Sequence, residues 1–332
     1  MQDKSTPAIT VILPMYGVER YIERAIKSVQ DQSFKDVEIL CVDDASPDAS
    51  AQIVERMAKE DPRIRLIKKP KNEGLYMARF TGYEHARGEY VTNLDSDDTL
   101  APEALQKLYE VARQTDADVT LGELNYLKKD GSVVIIKRKS ELMSTPDGYL
   151  KAIQNWTSCS VCAALYKLSF IKGCHLISCP GLNNAEDRYA LTQMLTSSNP
   201  PKKIAFLPYP VYNYHTNPVS LSKRKLTREK VDNTFIATLK SYDLIHERKP
   251  DMTESAQRFL LLQAGFYMEQ GARRDWMSTM HPVMDSILTR KRMVELVGQR
   301  LGHHYYFCMQ LPLYRKAAWG ARQVIRKLQH KI

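Results

Sequence analysis

The chain has 332 residues, 43% hydrophobic and 9% aromatic, enough apolar surface to build one large or two modest domains. No apolar run reaches the roughly 20 residues of a membrane helix, and residues 1–6 are too polar for a signal peptide, so the composition predicts a cytoplasmic protein. Residues 271–332 hold 12 Lys/Arg against 3 Asp/Glu, which accounts for nearly all of the net charge of +10; the near-neutral remainder excludes nucleic acid as the expected partner.

In chain order, apolar runs predict strands at 8–13, 37–42, 64–67, 90–94 and 119–124. Helical patterns lie between them at 18–30, 49–60, 75–86 and 102–114; in the first, Ile22, Ile26 and Val29 recur at helical spacing. This alternation predicts an α/β protein with a mostly parallel sheet flanked by helices. Asp130-Gly131 predicts a hairpin turn between Leu124 and Ile135. Residues 140–220 mix short strands, a helix beginning near Asn184, and Pro-rich loops at Asn199-Pro200-Pro201 and Pro208-Tyr209-Pro210. Beyond Thr227 the pattern is helical, over 228–247, 253–271 and 277–297. The expected division is a domain of residues 1–220 and a helical region of 221–332. Cys159-x2-Cys162 and Cys174-x4-Cys179 have a spacing loosely like a zinc ribbon, but Cys162 falls in an apolar run where a free cysteine packs as a small hydrophobe.

The run Tyr90-Val91-Thr92-Asn93-Leu94-Asp95-Ser96-Asp97-Asp98 reads as a buried strand ending in three carboxylates. Asp95 and Asp97 are two apart, so in extended chain they point the same way and repel unless a cation intervenes. Mg²⁺ or Mn²⁺ suits such a pair, because each accepts one or two carboxylates and completes its shell with water and phosphate oxygens. The plainer reading is an acidic loop before a helix whose first turn is marked by Pro102. An EF-hand fails, since Leu100 and Gln106 stand where that loop needs Gly and Glu. Other strand ends are also polar: Pro14-Met15-Tyr16, Asp43-Asp44-Ala45-Ser46, and Asn72-Glu73-Gly74 leading to Arg79. Singly these are turn and cap residues; together at one sheet edge they predict a ligand crevice.

The segments ITVILPMY (9–16), SVQDQSF (28–34), EILCVDDASPDAS (38–50), GEYVTNLDSDD (88–98) and NAEDRYALTQM (184–194) give residues 8 to about 215 a resemblance to family 2 glycosyltransferases, inverting enzymes of the Rossmann-like GT-A fold. The resemblance implies that Pro14 and Tyr16 border a nucleobase, that Asp43 accepts a hydrogen bond from uracil N3–H, and that Arg79 lies near the base or the diphosphate. It implies that Asp95, with Ser96 beside it, faces the ribose and a metal, and that Asp97 is the principal metal-binding carboxylate. His215 matches a basic position near the diphosphate and is the third metal-ligand candidate. Asp187 corresponds to the catalytic base. Gly17 and Phe80 depart from the family pattern, each standing where an Asn is usual. The implied cofactor is Mn²⁺ or Mg²⁺, the donor a nucleotide-sugar (UDP-linked), and the acceptor a saccharide or lipid-linked glycan of a bacterial surface polysaccharide or lipopolysaccharide.

Sugar transfer needs the leaving diphosphate neutralised and the acceptor hydroxyl deprotonated, which a clamped cation and a positioned carboxylate supply. Glu186-Asp187 has a plainer reading too, as acidic residues complementing a helix N-terminus. Two rival functions stand beside transfer. Leu94-Asp95-Ser96-Asp97-Asp98-Thr99-Leu100 matches the opening motif of haloacid-dehalogenase-like phosphatases, with Asp95 as nucleophile and Asp97 as acid/base, although about ninety residues precede it. The other is a non-catalytic, membrane-associated nucleotide-binding protein. Residues 312–332 form an amphipathic pattern, with Ala317, Ala321, Val324 and Leu328 opposite Arg315, Arg322, Arg326 and Lys331. That pattern predicts either a peripheral place on the anionic inner face of the cell membrane or a helix docked on the protein itself.

Overall fold

The computed structural model describes residues 6–155, 160–217, 228–269 and 282–310. Its contacts divide the chain into one unit up to residue 227 and a second from residue 228.

The first unit is built on a nine-stranded sheet. Strands β1 (Ile9–Met15) and β2 (Val37–Asp43) are buried at every position, as expected of parallel strands covered on both faces. They pair in parallel from Ile9↔Val37 to Met15↔Asp43, so each runs beyond the limit its apolar run suggested. β3 (Ile64–Lys68) joins β2 and β4 (Tyr90–Asn93) joins β1, also in parallel. Helices α1 (Ile22–Gln30), α2 (Ser50–Glu60) and α3 (Leu75–His85) connect them. After the two-residue strand β5 (Thr99–Leu100), α4 (Ala104–Thr115) begins later than the pattern from Pro102 suggested, because Glu103 takes a left-handed φ of 58°.

The second half of the sheet departs from the mostly parallel expectation. β6 (Val119–Leu127) and β7 (Val133–Ile136) form the predicted hairpin around Gly131, at φ 82°. Two helices, α5 (Ser140–Met143) and α6 (Pro146–Gln154), lead towards β8 (Ala164–Lys167), which runs antiparallel to both β4 and β6. Then come α7 (Leu168–Gly173), α8 (Glu186–Thr196) and β9 (Ile204–His215), the last parallel to β6 and antiparallel to β5. The sheet order is β3-β2-β1-β4-β8-β6-β9-β5, with β7 on the edge of β6. Half of the eight pairings are antiparallel.

Pro208-Tyr209-Pro210, read from sequence as a loop, lies inside β9. Leu207 pairs with Gly122 and Pro210 with the next residue, Glu123, so Pro208 and Tyr209 bulge out of the ladder. A bulge is where a strand tolerates residues that lack an N–H. Beyond the bulge the end of β9 reaches the loop after β4, where the Tyr212 hydroxyl and the His215 N–H bond Asp98.

Gly88 marks a tight point under the sheet. A Cβ there would lie 2.5 Å from the Thr10 N and 2.7 Å from the Tyr90 O, both backbone atoms that cannot swing away. Its own N–H donates to Thr10 Oγ1 at 2.9 Å. Gly88→Ala is expected to destabilise the protein by about 1–3 kcal/mol, as overpacking does. Urea unfolding checks it, and an unchanged midpoint would show that the strands separate without cost.

The second unit is helical, over Arg228–Arg248, Thr253–Glu269, Pro282–Ile287, Arg290–Val297 and Gln299–Gln310. The single helix expected over 277–297 is interrupted. Thr289 has extended backbone, and its hydroxyl accepts from the Arg292 N–H at 3.2 Å, starting a new helix. Gly298, at φ 82°, separates that helix from Gln299–Gln310, which the periodicity did not indicate. Phe235, Leu260, Leu261, Met284, Met293 and Tyr305 are among its buried residues. Among the described residues no helix is long and apolar enough to cross a membrane. The amphipathic segment 312–332 lies outside the described residues.

Candidate active site

β1, β2 and β4 are adjacent and parallel, so their carboxyl ends open at one edge, where ligands bind in open α/β sheets. The loop after β4 is fastened there from two sides. On one, Ser96 Oγ donates to the Pro14 carbonyl at 2.7 Å, and the Leu94 N–H to the Ile12 carbonyl. On the other, β9 supplies Tyr212, whose hydroxyl donates to Asp98 Oδ2 at 2.7 Å, and the His215 N–H, which donates to Asp98 Oδ1 at 2.7 Å. Both oxygens of the buried Asp98 are thereby used, and it acts as the clasp between loop and strand. Asn217 Nδ2 donates to Asp97 Oδ2 at 3.2 Å, and Arg24 donates to the Asp97 carbonyl at 2.5 Å.

Three carboxylates this close disturb one another. Burial, with the charges of Asp95 and Asp97 behind it, pushes Asp98 up to about 8. Burial and then Asp95 raise Asp97 above the usual carboxylate range. A divalent cation would relieve that repulsion, and an all-oxygen donor set suits Mg²⁺ or Mn²⁺. Asp95 and Asp97 therefore fit such an ion. His215, the third ligand candidate, has its Nε2 3.0 Å from Thr99 Oγ1. Among the described residues, no three His, Cys, Asp or Glu side chains converge as a ligand set. The antiparallel β5–β9 pairing brings His215 to Thr99.

Arg79, on α3, is the centre of the site. It is 4% exposed, and its guanidinium meets three carboxylates: Asp95 Oδ1 at 2.6 Å, Asp187 Oδ1 at 2.6 Å and Glu186 Oε1 at 3.0 Å. Sequence placed this residue near a base or diphosphate. In the fold its charge holds the loop after β4 and the start of α8 together, since a buried guanidinium needs carboxylate partners. Burial raises Asp187 above the usual range against the opposing pull of Arg79. Glu186 is likewise raised, by burial and by Asp187. Asp187 Oδ2 also accepts from the Val161 N–H, at 3.4 Å. Thus Asp187 and Asp95, 92 positions apart in sequence, share one guanidinium.

At the nucleotide end, Tyr16 is 52% exposed beyond β1. Asp43 is buried and accepts from the Ser46 N–H at 3.1 Å, closing a tight turn through Ala45 at φ 60°. Gly17, where the family pattern has Asn, donates its N–H to Ser46 Oγ at 3.2 Å. Phe80, the other departure, is on α3, its ring 6.4 Å from that of Tyr76. Asp44, which the sequence reading left without a role, takes Lys69 Nζ at 2.6 Å and the Gly74 N–H at 2.7 Å. It fixes the loop from which α3 and Arg79 start. Asn217, Tyr212 and Asp44 carried no signal in the sequence beyond polarity near a strand end. Of the cysteine pairs, Cys162, Cys174 and Cys179 are buried, and Cys159 lies outside the described residues.

Residues 10–173 match the model of glycosyl transferase family 2. An uncharacterized glycosyltransferase, EpsJ, of Bacillus subtilis (strain 168) is 43% identical over 113 residues, 34% of this chain and 33% of EpsJ. The GalNAc(5)-diNAcBac-PP-undecaprenol beta-1,3-glucosyltransferase of Campylobacter jejuni is 38% identical over 114 residues, 34% of this chain and 37% of its own length. The chain thus matches about a third of the length of each of these relatives. Among solved structures, S. aureus TarS 1–349 in complex with UDP-GlcNAc superimposes with a TM-score of 0.60 at 18% identity, over 90% of this chain and 89% of that one, which shows the shared GT-A fold. The segment from Leu94 to Leu100 lies inside the matched region, which overturns the phosphatase reading. By its strand-end carboxylates, its fold and this match, the segment 10–173 of the chain is a glycosyl transferase family 2 domain.

Proposed function

We propose that the protein is an inverting, metal-dependent glycosyltransferase that moves a sugar from a UDP-linked donor to a saccharide or lipid-linked acceptor in bacterial surface polysaccharide or lipopolysaccharide synthesis. The observation that carries this reading is the bridge Asp95–Arg79–Asp187, which couples the cation-fitting carboxylates to a buried carboxylate in one crevice. The family match and the undecaprenol-linked substrate named for the Campylobacter relative support the donor and acceptor classes.

In this reading Asp95 and Asp97 hold the cation, which when bound would neutralise charge on the departing diphosphate. Tyr16, Pro14 and Asp43 border the nucleobase, and Ser96 keeps the carboxylate loop against β1. Asp187 takes the acceptor proton. Its raised pKa makes it a stronger base than an ordinary carboxylate, and Arg79 holds its Oδ1 in place. Arg79 is a positioning residue. The cation is expected to be required for UDP binding, because bare Asp95 and Asp97 repel a diphosphate. Calorimetry with Mn²⁺ and then with EDTA tests this, and equal affinity in both would remove the metal role.

Residues 312–332 would attach the chain to an anionic membrane face through their basic side chains. Truncation of that segment, or high salt, is expected to reduce cosedimentation with anionic vesicles without changing UDP affinity. Unchanged cosedimentation would leave the tail without a membrane role. The non-catalytic alternative predicts UDP binding without sugar transfer, so a transfer assay separates it from the reading preferred here.

A further inference from the structure

The β6–β7 hairpin presents an apolar surface that the proposed transfer does not use. Val133, Val134, Ile135 and Ile136 are 52%, 43%, 48% and 38% exposed. Residues 128–137 are exposed without interruption. Alternate strand residues face opposite sides, so four consecutive aliphatics leave both faces of β7 bare. One edge of β7 is paired with β6, and among the described residues no strand pairs with the other. Exposed Lys128, Lys129, Lys137 and Lys139 flank this ribbon. The acidic residue at its tip, Asp130, is taken up by the Ser132 N–H and hydroxyl at 2.9 and 2.6 Å. At its base, Tyr126 pairs with Val134 and stacks on Tyr214 with ring centroids 5.4 Å apart.

A folded partner would cover one face of such a ribbon, or extend its edge, and leave the other face in water. A lipid interface covers both faces at once, and its anionic headgroups complement the lysines. We propose that the hairpin at residues 128–137 docks on an anionic lipid surface, with Val133–Ile136 entering the boundary between headgroups and acyl chains. Its place in the fold gives this a use. Leu127 pairs with His215, whose N–H bonds Asp98, so the hairpin leaves the sheet at the end where the candidate site opens. Docking would bring that opening to the surface at which a lipid-linked acceptor is presented. This last point rests on the proposed transfer, whereas the docking does not.

The test uses the full chain with vesicles of equal parts phosphatidylglycerol and phosphatidylcholine, and with phosphatidylcholine alone. Ile135→Trp is expected to add fluorescence that brominated lipid quenches in the anionic vesicles, beyond any quenching of the wild-type protein. The double change Val134→Asp, Ile136→Asp should lower vesicle affinity by about tenfold or more, while the unfolding midpoint and UDP affinity stay at wild-type values because these side chains are exposed. Absence of added quenching together with unchanged cosedimentation would overturn the proposal. So would a wild-type dimer, detected by sedimentation, that the double change converts to monomer with no lipid quenching; the ribbon would then bind a second copy. Quenching in a protein that fails to bind UDP would uphold docking and count against the transfer reading alone.

Discussion

Asp187→Asn is expected to lower the rate of sugar transfer by about 10²–10⁴-fold, the usual loss when a general base is removed, and to leave donor affinity near that of the wild type. The amide keeps the shape of the carboxylate but cannot accept the acceptor's proton. Two of the three anionic partners of Arg79 remain, Asp95 and Glu186, so the guanidinium keeps charge compensation and the fold should survive. In the wild type the base works deprotonated, so the transfer rate should fall as pH drops through its pKa. Burial has raised that pKa, so this acid limb should lie above the ordinary aspartate value of 3.8. The check is kcat against pH for the wild type, with donor affinity measured separately for both proteins. Transfer by the variant at near the wild-type rate would return Glu186-Asp187 to the role of helix-start acids.

Arg79→Met should give the largest loss of stability of any single change at the site. The methionine fills much of the volume but leaves Asp95, Glu186 and Asp187 facing one another without a cation. Breaking a buried ion pair from one side costs about 3–5 kcal/mol. The pH dependence follows from the same geometry. Without Arg79, which lowers both, Glu186 and Asp187 take up protons still more readily folded than unfolded, so their folded pKa values rise further. A group raised in this way favours the folded state below its unfolded pKa and loses that contribution as pH rises. The deficit of the variant should therefore be greatest at neutral pH and shrink under acid conditions. Urea unfolding at several pH values measures it. A neutral-pH deficit under about 1 kcal/mol would mean that water or rearrangement, rather than Arg79, neutralises the cluster.

The parallel half of the fold was legible because its signals are local. The strands at Ile9–Met15, Val37–Asp43 and Tyr90–Asn93 are largely apolar runs followed by polar residues, and α1 shows its buried Ile22, Ile26 and Val29 at helical spacing. α8 shows why the next part was harder. Arg188 to Thr196 are all buried, so burial on every side erases the period that marks a surface helix. β9 hid behind Pro208 and Pro210, whose bulge makes sense only beside β6. The break at Thr289 and the helix from Gln299 to Gln310 were missed for a related reason: one hydroxyl cap and one glycine at positive φ decide them, within a sequence that favours helix throughout.

Residue identity by itself determined the family match and the strand-end position of Asp95 and Asp97, and it is the source of the proposal that Asp187 is the base, because motif positions are properties of short segments. Tertiary structure decided what those groups face. It made Arg79 the shared partner of Asp95, Glu186 and Asp187, made Asp98 a clasp for Tyr212 and His215, and drew Asn217 to Asp97. These pairings join segments up to 120 positions apart. A charge in sequence carries no record of which opposite charge will be buried against it. That choice is made when the helices pack on the sheet, and the cost of desolvating each unpaired group selects the partners.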